Sequence, residues 1–201
     1  MAKEIIGVWQ CASGKMDTQI EMMHAKLMNW VAKIEDGKLH RRNAWMAFWG
    51  TIWRTFKYGL PVMTMTEPES IALFKPFYWK LLPALGIMRT TNRKWVFTPR
   101  CLQGLGLPTI FLEQTIDHID SLMYHYGSGT FVGDAMVISY EQLQLELGTR
   151  SPVFSLDFDR WGFLGTDSWI LALWRCISGF KSALLSHNRH SYPCSGTGTS
   201  S

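Results

Sequence analysis

The side chains able to do chemistry are scattered along this 201-residue chain. Asp157 and Asp159 flank Phe158, with Asp167 ten residues on, a grouping that could hold a divalent cation. Such positions equally suit turns and helix caps, and they read here as turn and cap residues. His118 and His125 lie seven apart and can share a helix face, but no H-E-x-x-H motif accompanies them, so they read as surface histidines. Ser121 and Ser128 lack the glycine context of a nucleophile elbow. Cys11, Cys101, Cys176 and Cys194 include no C-x-x-C pair, which excludes a zinc ribbon or finger and argues against a secreted disulfide scaffold. Each cysteine reads as an inert core or tail residue. Gly104-Leu-Gly106 is no dinucleotide fingerprint, because the third glycine and the strand-helix unit are missing. The expectation is a protein that is not an enzyme, with no catalytic residue, no metal ligand and no cofactor.

Charge and aromatic content point elsewhere. The net charge is only +4, yet residues 38–100 hold eleven Lys or Arg against Glu67 and Glu69, a local balance of +9. The remaining residues hold nine basic and fourteen acidic side chains, a balance of −5. The basic region also carries Trp45, Trp49, Trp53, Trp79 and Trp95 out of ten tryptophans in all. Clustered cations mixed with large aromatic rings suit a polyanion, while a solvated basic surface over an aromatic core is the plainer alternative.

The elements that must carry these residues are mostly helical. A composition 47% hydrophobic supports a core. Glu4 to Gln10 reads as one strand, stopped by Ala12-Ser13-Gly14, that either pairs with a later extended stretch or closes a sheet begun upstream. A first helix spans about Met16 to Glu35, with Ile20, Met23, Leu27, Trp30, Val31 and Ile34 inward and Lys15, Lys26 and Lys33 in one row beside them. A second spans about Arg41 to Tyr58: Trp45, Phe48, Trp49, Ile52, Trp53 and Phe56 face one way, and Asn43, Ala47, Gly50, Arg54 and Lys57 the other. Small residues on that outer side allow a second backbone close approach. Thr66-Glu-Pro-Glu69 is a capping box that opens a third helix reaching about Leu82, with Ile71, Phe74, Tyr78, Leu81 and Leu82 inward and a bend at Pro76. Arg89 to Pro99 reads as basic and extended. Further helices are expected over Thr109 to Tyr126 (with Leu112, Ile116, Ile119 and Met123), from a Ser139-Gln142 capping box to Gly148, and over Ser168 to Leu185 behind a Thr166-Asp167 cap. Arg175 and Lys181 interrupt that last segment and argue against a membrane span. The Ser-, Gly- and Thr-rich end from His187 reads as a disordered tail. Met1-Ala-Lys-Glu-Ile-Ile-Gly lacks the apolar core of a signal peptide, so a reduced, soluble, intracellular protein is expected, nucleus or cytoplasm undecided.

The succession of segments carries a resemblance. Ile6-Gly7-Val8-Trp9 and Ser13-Gly14 precede a helix with Trp30 and the basic Leu39-His-Arg-Arg42. Phe56-Lys-Tyr58-Gly-Leu-Pro61, Ile71-Ala-Leu-Phe-Lys-Pro76 and Leu81-Leu-Pro-Ala-Leu-Gly86 follow. Gln103-Gly-Leu-Gly-Leu107 and Ser139-Tyr-Glu-Gln-Leu-Gln-Leu-Glu-Leu-Gly148 complete the series. Over roughly residues 4 to 185 this order resembles the region downstream of the catalytic palm in non-LTR (LINE-type) retrotransposon reverse transcriptases. The resemblance implies a mainly α fold: a palm-type strand over 1–14, an antiparallel helical bundle resembling a polymerase thumb over 15–86, a helical region with an irregular, extended start over 87–185, and the tail at 186–201.

That family is an RNA-directed DNA polymerase, and its thumb grips the backbone phosphates of the template-primer duplex. Its metal-binding carboxylates include a Phe/Tyr-x-Asp-Asp turn, and this chain contains no such turn. Without them, two-metal phosphoryl transfer is absent rather than weakened. The resemblance therefore implies a catalytically incomplete fragment that binds RNA or DNA backbone without sequence preference. Lys26, Lys33, Arg41, Arg42, Arg54 and Lys57 are the expected phosphate contacts. Arg93 and Lys94 add to them, and Trp95 either stacks on an unpaired base or is buried. Self-association through an uncovered palm-facing side, completion by a separate palm and fingers chain, and reuse as a helical protein-interaction module without nucleic-acid binding are the other partner readings; no membrane is expected.

Overall fold

A computed structural model of the chain describes residues 3–5, 8–10, 16–36 and 39–189, with side chains described within 16–34 and 39–180. The N-terminal β-formers do not make one strand. Lys3–Ile5 (β1) and Val8–Gln10 (β2) pair with each other, antiparallel, with Glu4 opposite Trp9. The turn expected at Ala12 to Gly14 lies outside the described residues, and so does the expected tail beyond Arg189; its first residues, 186–189, are corrected from disordered to helical, as the end of the helix Trp169–Arg189.

Among the described residues, everything after β2 is helix or connection. The helix α1, Asp17–Asp36, has the expected amphipathic pattern: Met23, Leu27, Val31 and Ile34 are buried, and Ile20 and Trp30 pack partly covered beside them. Its main neighbour is α4, Glu67–Ala84. Between them in the chain runs one continuous helical rod, α2 (Arg41–Ala47), a π-helical turn over Phe48–Ile52, and α3 (Trp53–Lys57). The wider π turn spreads the bulky run Phe48, Ile52 and Trp53 so that all three are buried. Phe48 stacks on Phe77 of α4, and Phe56 meets Phe74 edge-on, so an aromatic seam joins the rod to α4.

The capping box at the start of α4 forms as read, with Glu69 accepting from both the Thr66 backbone N–H and its hydroxyl. Pro76 and Pro83 both lie inside the helix. Its end is a Schellman turn: Gly86, at φ 77°, donates to Pro83 and Ile87 donates to Leu82. Ile71 is corrected, because it is 55% exposed, while Leu73 and Phe77 are the buried positions that a simple stripe missed.

The middle segment is not extended. Asn92 caps a short helix α5, Arg93–Phe97, by accepting from the Lys94 N–H at 2.9 Å. The chain then doubles back, and Leu105, Gly106 and Leu107 donate to the carbonyls of Trp95, Thr98 and Val96. A Cβ at Gly104 would collide with the Thr98 backbone, so this glycine serves close chain approach and not a phosphate.

Three helices complete the fold around a second buried cluster: α6 (Ile110–His125), α7 (Phe131–Glu146) and α9 (Trp169–Arg189), with a short α8 (Phe158–Trp161). Leu143, Leu147, Val153, Ile170, Leu171 and Trp174 form that cluster. The capping-box reading of Ser139 is corrected. The helix begins eight residues earlier, capped by Thr130, and Ser139 sits inside it donating to Ala135. Ser168, not Thr166 or Asp167, accepts from the Leu171 N–H at the start of α9. The first cluster extends through Val96, Leu107 and Ile110, so buried contacts cross the expected boundary at residue 86.

The largest departure is the facing of α6. Its apolar stripe, Leu112, Ile116, Ile119 and Met123, points outward, Met123 being 78% exposed. Gln114, Thr115 and His118 are buried instead. What they pack on explains this. The link from α3 to α4 is irregular yet buried at Leu60, Met63 and Met65, and its backbone groups need partners. Gln114 supplies two, accepting from the Met65 N–H at 3.3 Å and donating to the Met65 carbonyl at 3.0 Å. Trp169 donates its indole N–H to Pro61 at 2.9 Å. His118 fills the space between, its ring centroid 4.8 Å from that of Trp169. An all-apolar inner face would have left this backbone unpaired.

Replacing Gln114 with Leu is expected to destabilise the fold by at least about 2 kcal/mol, since two buried backbone groups lose their partner; urea denaturation measures it, and an unchanged midpoint would refute the role. His118 gives a pH signature. Burial pushes its pKa down to about 4, while the Leu60 and Met63 backbone lies beside the ring and favours the charged form less strongly. The folded state holds His118 neutral, so its contribution is present above the unfolded value of about 6.5 and lost as pH falls through about 4. The loss is on the order of 3 kcal/mol. His118→Leu is expected to flatten the stability profile over that pH window; a profile as steep as that of the unaltered protein counts against it.

Candidate nucleic-acid interface

The eight cations expected to meet phosphate do not share one face. The fold divides them between two ends of the helical rod. Arg41 and Arg42 open α2, and both are exposed. The Arg41 side chain lies across Gly86, its Nε 3.0 Å from where a Cβ would be, so the start of α2 meets the end of α4. Arg93 and Lys94 open α5 just beyond, and Arg93 Nη2 donates to the Arg89 carbonyl at 3.4 Å. Lys33 lies in the last turn of α1, which ends with four residues left before α2, and therefore near this same end; its ammonium sits 5.4 Å from the Trp30 ring centre.

Two further cations join them that the sequence reading did not single out. Arg89 lies over Trp79 at 5.6 Å, and Arg100 over Trp45 at 5.8 Å. Their only signal in the sequence was membership of the basic region, since the pairing rings lie ten and fifty-five residues away. Lys33, Arg41, Arg42, Arg89, Arg93, Lys94 and Arg100 thus surround the junction of α1, α2, α4 and α5. Glu35 and Asp36 end α1 close by in the chain. The carboxylates of the basic region, Glu67 and Glu69, begin α4 at its far end, roughly 25 Å away at 1.5 Å per residue.

Half-exposed rings lie among these cations. Trp95 is 45% exposed, so it is not buried, and its indole donates to the Gln103 carbonyl at 2.9 Å. Trp79 is exposed to a similar degree. A shallow pocket of about 560 Å³ between Trp49, Phe97, Arg100 and Pro108 adjoins the cluster. Arg93 Nη1 is buried with no hydrogen-bond partner among the described residues.

The remaining expected contacts sit elsewhere. Arg54 and Lys57 are on α3, roughly 20 Å from Arg41 along the rod. Lys57 is engaged: its ammonium is 2.9 Å from Glu113 and 3.6 Å from Asp117 of α6. The hydrogen bond that Lys57 donates to Glu113 raises the Lys57 pKa, and burial raises that of Asp117 despite the ammonium beside it. Lys57 is therefore corrected from a free cation to the basic member of an internal ion-pair group. Arg54 is exposed with no ion pair among the described residues, as is Lys26 on α1.

No family model, no curated protein and no solved structure matches this chain. Its chemistry is read from its own geometry.

The groups weighed for catalysis stay apart. Asp157 caps α8 by accepting from the Asp159 N–H, and no metal-binding group of His, Cys, Asp and Glu forms among the described residues. The surface reading of His118 is corrected, for it is completely buried. A cleft of about 850 Å³ is lined by Ser121, His125, Ser139, Ser168 and Arg175 among others. The Ser139 hydroxyl is committed to its own helix, and Ser168 accepts as the cap of α9. Cys176 is buried, which raises its pKa, whereas Cys101 is exposed and so neither a core nor a tail residue. No helix among the described residues is long and apolar enough to cross a membrane.

Gly50 lies in the π turn on the outer side of the rod, and a Cβ there would meet nothing within 4 Å. No backbone of this chain needs the gap. Gly50→Ala is expected to raise stability by about 0.5–1 kcal/mol through the lower entropy of the unfolded chain. Thermal denaturation tests this, and a lowered Tm would mean that the π turn itself requires glycine.

Proposed function

We propose that this protein binds nucleic-acid backbone without sequence preference, through the cation-rich junction of α1, α2, α4 and α5. One observation carries the reading: seven cations interleaved with Trp30, Trp45, Trp79 and Trp95 at one end of a helical bundle, where Glu113 of α6 also reaches the pocket beside Arg100. Flexible ammonium and guanidinium groups of one sign neutralise phosphates regardless of sequence. Partly exposed rings beside them offer stacking surfaces to unpaired bases, which is also sequence-tolerant.

The resemblance to the thumb region of LINE-type reverse transcriptases supports the same reading, because a thumb holds a duplex by its phosphates. In this proposal the chain is a catalytically incomplete, retroelement-derived piece that holds RNA or DNA and does no chemistry on it. The contact surface is shifted from the one the sequence suggested. Lys33, Arg41, Arg42, Arg93 and Lys94 remain, Arg89 and Arg100 are added, and Lys57 is withdrawn.

Filter-binding titrations with duplex and single-stranded nucleic acid at about 50 and about 200 mM salt test it. Affinity is expected to fall steeply with salt. The exposed pair Arg42→Ala/Lys94→Ala is expected to reduce the log–log salt slope by about 2 and to weaken all sequences alike. Arg54→Ala/Lys57→Ala is expected to change affinity by less than about threefold, since an ion-paired lysine releases few counterions from the nucleic acid. Absence of binding at low salt, or a loss confined to the Arg54/Lys57 variant, overturns the assignment.

A further inference from the structure

The outer face of α7 carries an apolar line that nothing in the fold covers. Phe131, Ile138 and Leu145 recur every seven residues and are 89%, 63% and 82% exposed. At about 100° per residue they fall within one narrow arc. Asp134 and Glu141, both exposed and without ion-pair partners among the described residues, run along one edge of that arc. An apolar seam with heptad spacing and an acidic edge is what a helix presents to a second helix carrying cations.

The chain itself bears such a surface at the opposite pole of its charge. The outer side of α4 exposes Ile71, Ala72 and Trp79 with Lys75 between them, and Arg89 lies over the Trp79 ring. Lys75 and Trp79 are one turn apart, about 6 Å, and Asp134 and Glu141 two turns apart, about 10 Å, within reach of long cationic side chains. Both faces are apolar and helical, and Lys75 and Arg89 are opposite in charge to Asp134 and Glu141, with Glu67 one turn before Ile71 at the far end of the α4 face. We infer that this protein associates head to tail, the α7 face of one copy docking on the α4 face of the next. The two faces are different patches on one chain, so the contact is heterologous and repeats along an open or closed series. It does not depend on the nucleic-acid reading.

Sedimentation velocity of the full chain, without nucleic acid and over a range of concentrations, tests it. The unaltered protein is expected to show concentration-dependent species larger than a monomer. Asp134→Lys/Glu141→Lys makes both faces basic, and Ala72→Glu/Lys75→Glu makes both acidic. Each variant alone is expected to associate at least about tenfold more weakly, and an equimolar mixture to recover association, because unlike faces meet again. All four positions are exposed, and circular dichroism confirms that each variant is folded before it is compared. A protein that stays monomeric throughout overturns the inference. So does association that survives both charge reversals but is lost in Leu112→Glu/Ile119→Glu, which places the contact on α6 instead.

Discussion

The structure turns on a stretch of backbone that is buried without being regular. Between α3 and α4 the chain passes through Leu60, Met63 and Met65 with almost no exposure, and there only one short 3-10 turn satisfies any of its hydrogen bonds. Buried peptide groups left without partners are costly, so the neighbours of this link must be polar where they touch it. Gln114 and Trp169 provide the partners, from α6 and α9 respectively. Because those helices belong to the second half of the chain, the same hydrogen bonds fasten the second buried cluster to the first. Tyr78 adds another such tie, donating from α4 to the Pro108 carbonyl at 2.7 Å.

Serving the link fixes the rotation of α6, and that rotation has consequences on both its other sides. The helix has three faces: a polar one inward, an apolar one outward, and an acidic one carrying Glu113 and Asp117. The acidic face comes round to α3, where it takes up Lys57. One cation of the rod, Lys57, is thereby paired, while Arg54 beside it and Arg41 and Arg42 at the opposite end have no ion pair among the described residues.

Local pattern made some of this legible. The stripes of α1 and of the Arg41–Lys57 rod were readable because each helix buries a single apolar face against other apolar side chains, so period alone locates it. The start of α4 was readable because a capping box is satisfied within four residues. Three things were not readable, each for a non-local reason. The stripe of α6 is as regular as that of α1, but its orientation is decided by hydrogen bonds to residues almost fifty positions earlier. α5 is held by Asn92 and by a returning loop, which outweigh the β-forming character of Trp95, Val96 and Phe97. The division of the cations required knowing that Arg41 meets Gly86 and that Lys57 meets Glu113, contacts with no signature in spacing.

Segregated charge has a cost that the fold must offset. Like charges gathered at one end repel, and a folded chain tolerates this where the groups are solvated or held over aromatic rings. Lys33, Arg89 and Arg100 each lie over a tryptophan, Trp30, Trp79 and Trp45 respectively. The unusual number of tryptophans therefore has a local use besides filling the core. Rings at the surface keep cations extended and spaced without neutralising them, which carboxylates would do. Such an arrangement preserves net positive potential. Lys57, beside the carboxylates of Glu113 and Asp117, shows the opposite solution on α3.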